Sequence, residues 1–356
     1  MASLSITAYY ARRTIKYGFI LLVCFFISRY FWGIAGDFWK KLHPPPPPPP
    51  TVAFGKLPAI EFSKQEDLPD LSFRLETIQG RVPGLEEIGR VYFMPHSAPN
   101  LLALDRAKEK ARVMGFAAPP KPISPTTFQW TNKATPPTTL EMDIVSGNFT
   151  LRYSYESDQA LLNEANLPSD DQAAIEAKKF LSSNNLLAED LKTGRAEFAY
   201  LKFISPKLIP AISLSEADFV RVNIFRADLD ELRILPPDPK NSLVSFLFSG
   251  SRQSAKRILE ARYLYYPIEK TTVATYPLKD SSQAWSELQT GNGFIANLGQ
   301  NENGQITIRR VFLAYFDSET PQHFLQPIFV FEGDREFYAY VSAITPEWVE
   351  KAATGD

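Results

Sequence analysis

Three scarcities bound this chain before any motif is read. It has one cysteine, Cys24, so no intramolecular disulfide can form and stability must come from packing. It has three histidines, His43, His96 and His323, far apart in sequence, which argues against a histidine-rich metal centre. It has no excess of either charge: 38 Lys+Arg stand against 40 Asp+Glu, which argues against a nucleic-acid partner. What is present, 356 residues at 44% hydrophobic and 22% charged, suffices for two or three folded domains.

Long apolar runs are absent as well, with one exception. Tyr17 to Gly36 is twenty residues, about 30 Å as a helix, the thickness of one hydrocarbon core. Tyr17, Ile20, Leu21, Leu22, Val23, Phe25, Phe26, Ile27, Tyr30 and Trp32 are the candidate anchor residues. Arg29 lies near one end, where its long stem can carry the guanidinium to the interface. Arg12, Arg13 and Lys16 precede the span, and Asp37, Lys40 and Lys41 follow it. Positive-inside bias then places residues 1–16 in the cytoplasm and the C-terminal part outside. A cleaved signal peptide fits the same basic start and twelve-residue apolar core. Against it, Arg29 and the bulky Tyr30-Phe31-Trp32 stand where a cleavage region is small and polar. The Arg12-Arg13 pair adds little as a twin-arginine signal, since adjacent arginines are common in such regions.

Pro44 to Pro50 is a run of seven prolines, a polyproline II rod of roughly 20 Å. It could serve as a ligand for an SH3- or WW-type groove. Its place just past the span, on the outer face, favours a stiff stalk over residues 37–68. Residues 1–41 carry a net charge of +5 and the remainder −7, so the ectodomain is predicted to be mildly acidic and repelled by anionic lipid. A cysteine-free ectodomain suits a bacterial cell envelope.

The ectodomain reads as an amphipathic helix followed by antiparallel strands, three times over. Asn100–Met114 places Leu104, Ala107, Ala111 and Met114 on one stripe, with Gly115 to end it. Strands are predicted at Thr126–Asn132, Thr139–Val145 and Asn148–Tyr155, the last two joined at Ser146-Gly147. The second unit opens on Ser169 as cap to Asp170–Leu186, whose stripe is Ala173, Ala177, Phe180 and Leu181. Strands at Ala196–Ile204, Asp218–Arg226, Ser242–Phe248 and Ile258–Tyr266 follow. The third unit has a helix over Lys279–Gln289 and strands at Gln305–Phe316, Gln326–Phe331 and Glu336–Ile344. Glu332-Gly333-Asp334-Arg335 is the expected hairpin turn, with glycine supplying a positive φ. The predicted class is α+β, with units at 69–156, 157–274 and 275–345 and a tail at 346–356.

No catalytic constellation stands out: there is no His-Glu-x-x-His, no Gly-x-Ser-x-Gly, no phosphate-binding glycine loop and no EF-hand acid ladder. The expectation is therefore no catalytic, metal-binding or cofactor-binding residues. Asp228, Asp230 and Glu231 are expected to pair with Arg221, Arg226 and Arg233, and Glu332 and Asp334 to belong to an exposed turn. Asn148-Phe149-Thr150 is a glycosylation sequon of the kind expected by chance, doubling here as turn and strand.

Thr275-Tyr-Pro-Leu-Lys279, Gln283–Gly291, Val311–Tyr315, Leu325–Gly333 and Phe337–Val341 form a series that resembles PepSY-like domains and YycH/YycI-type regulators. The Ala107–Gly115 helix with the Phe149–Tyr155 strand is similar to another copy. The resemblance implies repeated helix-plus-sheet units, a single N-terminal anchor, and regulation of a membrane partner such as a sensor kinase. It carries no active site. The expected function is a non-enzymatic, membrane-anchored protein that binds a protein or peptide at the outer face. The alternatives are a structural subunit of the envelope and a hydrolase of cell-wall polymer or peptide.

Overall fold

The computed structural model describes residues 4–42, 48–62, 68–163 and 166–350. The chain forms two units, residues 1–49 and 50–356. The first is one helix, α1 (Leu4–Leu42), of 39 residues. Its apolar stretch is Tyr9–Gly33, 25 residues long and wholly exposed within the unit, starting earlier than the Tyr17 expected. His43 and Pro44–Pro47 of the stalk lie outside the described residues, as do 63–67, 164–165 and the tail beyond 350.

The second unit is mostly sheet. Along the chain come β1 (Ser72–Leu75), β2 (Ile88–Phe93), α2 (Ala103–Val113), β3 (Lys121–Pro122), β4 (Thr127–Thr131), β5 (Thr138–Asp143) and β6 (Phe149–Tyr153). Next are α3 (Asp170–Ser183), α4 (Glu189–Thr193), β7 (Ala196–Ile204), β8 (Lys207–Pro210), β9 (Phe219–Ile224), β10 (Ile234–Leu235) and β11 (Val244–Ser249). The rest are α5 (Ser254–Arg257), β12 (Ile258–Tyr263), β13 (Glu269–Pro277), α6 (Ser281–Gln289) and β14 (Phe294–Asn297), then β15 (Gln305–Phe316), β16 (Phe324–Leu325), β17 (Pro327–Gly333) and β18 (Tyr338–Ser342).

Strands β3 to β9, β11 and β12 build one nine-stranded antiparallel sheet in the order β3-β4-β5-β6-β12-β11-β9-β7-β8. It joins strands expected in two separate units, because Phe149–Arg152 pairs with Glu260–Tyr263 across the middle. One face is apolar in register: Leu140 and Leu151, then Ala261, Phe246 and Val222, stand side by side on neighbouring strands. The helices α2 and α3 cover that face with Ala107, Ala111, Ala173, Ala177 and Leu181, all buried. Alanine at these positions lets the helix backbone approach the sheet closely. Ser169 caps α3 in a capping box with Gln172. The segment 155–163, expected near a boundary, is packed: Tyr155 and Leu161 are buried against Phe219 and Leu247.

A six-stranded sheet holds β14, β18, β17, β15 and β1, with β10 also on β15; β1 and β10 run parallel to β15, so this sheet is mixed. Helix α6, capped by Asp280, packs on it through Ala284, Trp285 and Leu288, with Trp285 against Phe73 and Phe331. A third sheet joins β13, β2 and β16. The class is mixed α+β.

The turn after β17 differs from expectation. Gly333 is extended, and Arg335 and Glu336 hold the positive φ values, 52° and 66°. The carbonyl of Arg335 accepts from the Gln300 N–H at 3.0 Å, and a Cβ on Gly299 would lie 1.9 Å from that oxygen. Glycine is therefore needed at 299, where two backbones touch, and the pinned carbonyl holds the turn.

Candidate functional site

The face of the nine-stranded sheet away from α2 and α3 carries no helix of its own; the segment with Tyr155 and Leu161 covers Leu247 and the rest is open. Its alternation was visible in β6, where Phe149, Leu151 and Tyr153 are buried while Thr150 and Arg152 are exposed. In register, Arg152 lies beside Glu260, Glu260 beside Leu247, and Leu247 beside Arg221, one row across four strands. Thr150, Arg262 and Ser245 form the next row. Asp238, Asn241 and Glu319 rise from loops at one side, leaving a cleft of about 500 Å³.

The cleft is charged in both signs. Arg221 reaches Glu260 at 3.3 Å, Arg262 reaches Glu319 at 2.9 Å, and Arg152 contacts both Glu156 and Glu260. Burial works against the Arg152 charge, yet the hydrogen bond and charge of Glu156 carry its pKa above the usual value. The Tyr155 hydroxyl is pushed up to about 12 by burial, then by Glu260 and Glu156. These arginines are 30–53% exposed. Exposed pairs of this kind contribute about 0–1 kcal/mol. They can therefore exchange partners with an incoming charged ligand at small cost.

A second cluster is buried. The Arg226 Nε donates to Asp190 at 2.6 Å, and Nη1 donates to the Tyr266 carbonyl at 3.1 Å and Asp317 at 3.3 Å. The guanidinium lies 4.6 Å from the Tyr265 ring, whose hydroxyl donates to Asp190 at 3.0 Å. Burial pushes the Asp317 carboxyl above its ordinary value, outweighing Arg226. Arg226 Nη2 has no hydrogen-bond partner among the described residues, and the adjoining cavity of about 10 Å³ has room for roughly one water. No substrate enters such a space; the cluster ties α4 and the end of β9 to the end of β15.

The structure redistributes the charges expected near Asp228. Arg226 turns inward and Arg221 joins the open face, while Asp230 pairs instead with Arg90 at 2.9 Å and with the Tyr92 hydroxyl. Glu332 and Asp334 pair with Arg310 and Arg309. His96 and His323 meet edge to face, 4.4 Å between ring centres, and burial followed by the His323 charge lowers the His96 pKa. No carboxylate or cysteine joins them in a group of three metal-ligating residues, among the described residues. Asn148 is buried, its Oδ1 accepting from the Tyr265 N–H at 3.0 Å, so the folded chain does not present the sequon.

All ten anchor residues, Tyr17, Ile20, Leu21, Leu22, Val23, Phe25, Phe26, Ile27, Tyr30 and Trp32, are exposed on α1. By length and composition the helix can cross a membrane once.

No family model matches this chain, and no curated protein does. Among solved structures it is similar to an uncharacterized protein from Eubacterium rectale ATCC 33656, at 12% identity and a TM-score of 0.36, over 73% of this chain and 84% of that one. At that score the likeness carries no argument about function.

Proposed function

We propose that this chain is a single-pass membrane protein whose residues 50–356 form a non-enzymatic, extracytoplasmic module that binds a protein or peptide partner. One observation carries the reading: an apolar helix, exposed on every side, precedes a folded unit with its own core. A helix apolar all round needs a nonpolar surrounding. The basic residues Arg12, Arg13 and Lys16 favour an N-terminus in the cytoplasm. The open face of the nine-stranded sheet is the proposed contact surface, since its charges are self-paired, partly exposed and arranged in rows. A sensor kinase is the partner that the resemblance to YycH/YycI-type regulators implies.

The test is site-specific photo-crosslinking in intact membranes, with the probe at Ser245 inside the cleft. One defined membrane-protein adduct is expected, weakened by Arg221→Glu. No adduct from the cleft, or hydrolysis of peptide or cell-wall polymer by the purified protein, would overturn the proposal.

A further inference from the structure

Helix α2 carries four cations and two acids, and its pairing is uneven. Lys108 bonds Asp105 at 3.1 Å and Arg112 bonds Glu109 at 2.7 Å. Both acids are thereby engaged, and Arg106 and Lys110 have no carboxylate partner among the described residues. They stand four residues apart, one turn of the same face, where like charges destabilise a helix. Lys110 lies in the last turn, where the helix dipole offsets only part of that repulsion.

The two cations border a cleft of about 240 Å³ between α2 and the turn that joins β5 to β6. Lys110 reaches over that turn: a Cβ on Gly147, whose φ is +76°, would lie 2.7 Å from its Nζ. Glycine thus serves both the turn and the amine's position. Burial first, and the Arg106 charge second, lower the Lys110 pKa. Ser97 lines the same cleft, and its hydroxyl makes no hydrogen bond among the described residues. The remaining wall mixes the partly exposed Ile144 and Val145 with Ser146 and Gly147, over the buried Ala107 and Met142. Residues 42–356 carry a net charge of −7, so this is a cationic spot on an acidic body.

We propose that this cleft binds a carboxylate carried on a small apolar group, as at the C-terminal residue of a peptide. The carboxylate lies between Arg106 and Lys110 and accepts from Ser97, while the apolar side chain rests on Ile144 and Val145. A bare oxyanion would use the cations and leave Ile144 and Val145 uncovered. A water occupies roughly 30 Å³ in the liquid, so the space exceeds what a bare oxyanion needs. The assignment does not depend on the membrane reading or on the open face of the sheet.

The experiment is calorimetric titration of the full-length protein in detergent micelles with N-acetyl-L-leucine, its neutral amide and inorganic phosphate. Saturable binding of the carboxylate near the millimolar range is expected, weakening with salt, and no binding of the amide. Arg106→Gln and Lys110→Gln should each weaken it about tenfold, as loss of one charged contact does. Lys108→Gln, on the same helix but paired with Asp105, should leave it unchanged. Absence of saturable binding, equal binding of the amide, or indifference to both substitutions would overturn the site. Phosphate binding as tightly as N-acetyl-L-leucine would overturn the apolar part of the assignment.

Discussion

Arg226 illustrates how single side chains hold the second unit together. It is 5% exposed, and its two acids come from elements 36 and 91 residues away in sequence. Removing the cation strands both carboxylates. Arg226→Met should cost about 3–5 kcal/mol, read as a shift in the urea unfolding midpoint. Asp317→Asn should cost less, because burial already disfavours the Asp317 charge. Sequence could not show this cluster: Asp228, Asp230 and Glu231 are the nearer acids, and distance along the chain says nothing about which pair in space. The open face was half legible, since the alternation of Thr150 and Arg152 marked a wet face. Which strands would lie beside it was not, because register across β6, β12, β11 and β9 depends on long-range pairing. The like-charged Arg106 and Lys110 were visible at helical spacing, but their lack of partners emerged only from the fold.

At the scale of elements, periodicity was informative where one face is buried and the other wet. The strands β7 and β15 have the bounds expected of them, and α3 and α6 begin at the caps that Ser169 and Asp280 provide. Short strands escaped. β2 is six residues long and pairs with β13 176 to 189 positions away, so neither has a hairpin turn to announce it. The turn at Glu332–Arg335 was placed correctly but its positive φ was assigned to the wrong residue, because tertiary contact at Gly299 overrides glycine's local preference. The helix layer gives a direct check. Ala177 is fully buried under the sheet, whereas Ile175, two residues before, is 66% exposed. Ala177→Leu should destabilise by about 1–3 kcal/mol through overpacking. Ile175→Glu should stay within about 0.5 kcal/mol. Equal effects in thermal or urea unfolding would contradict this placement of α3.

For the whole molecule, strands from the first two expected units share one sheet, and the sheets recruit strands across long stretches of chain. Antiparallel strands can be added to a sheet edge wherever register and burial agree, so pattern alone does not count sheets. The helix α1 was the most legible element, since the requirement for a spanning segment is length and apolarity and both are read directly. Its retention in a bilayer is the claim on which the functional proposal stands. Alkaline carbonate extraction of membranes, followed by N-terminal sequencing of the protein, tests it most directly. The account predicts a protein that stays in the membrane fraction with Tyr9–Gly33 intact, and is released, still folded, when residues 1–42 are deleted. Recovery of a soluble mature chain that begins beyond Gly33 would contradict it.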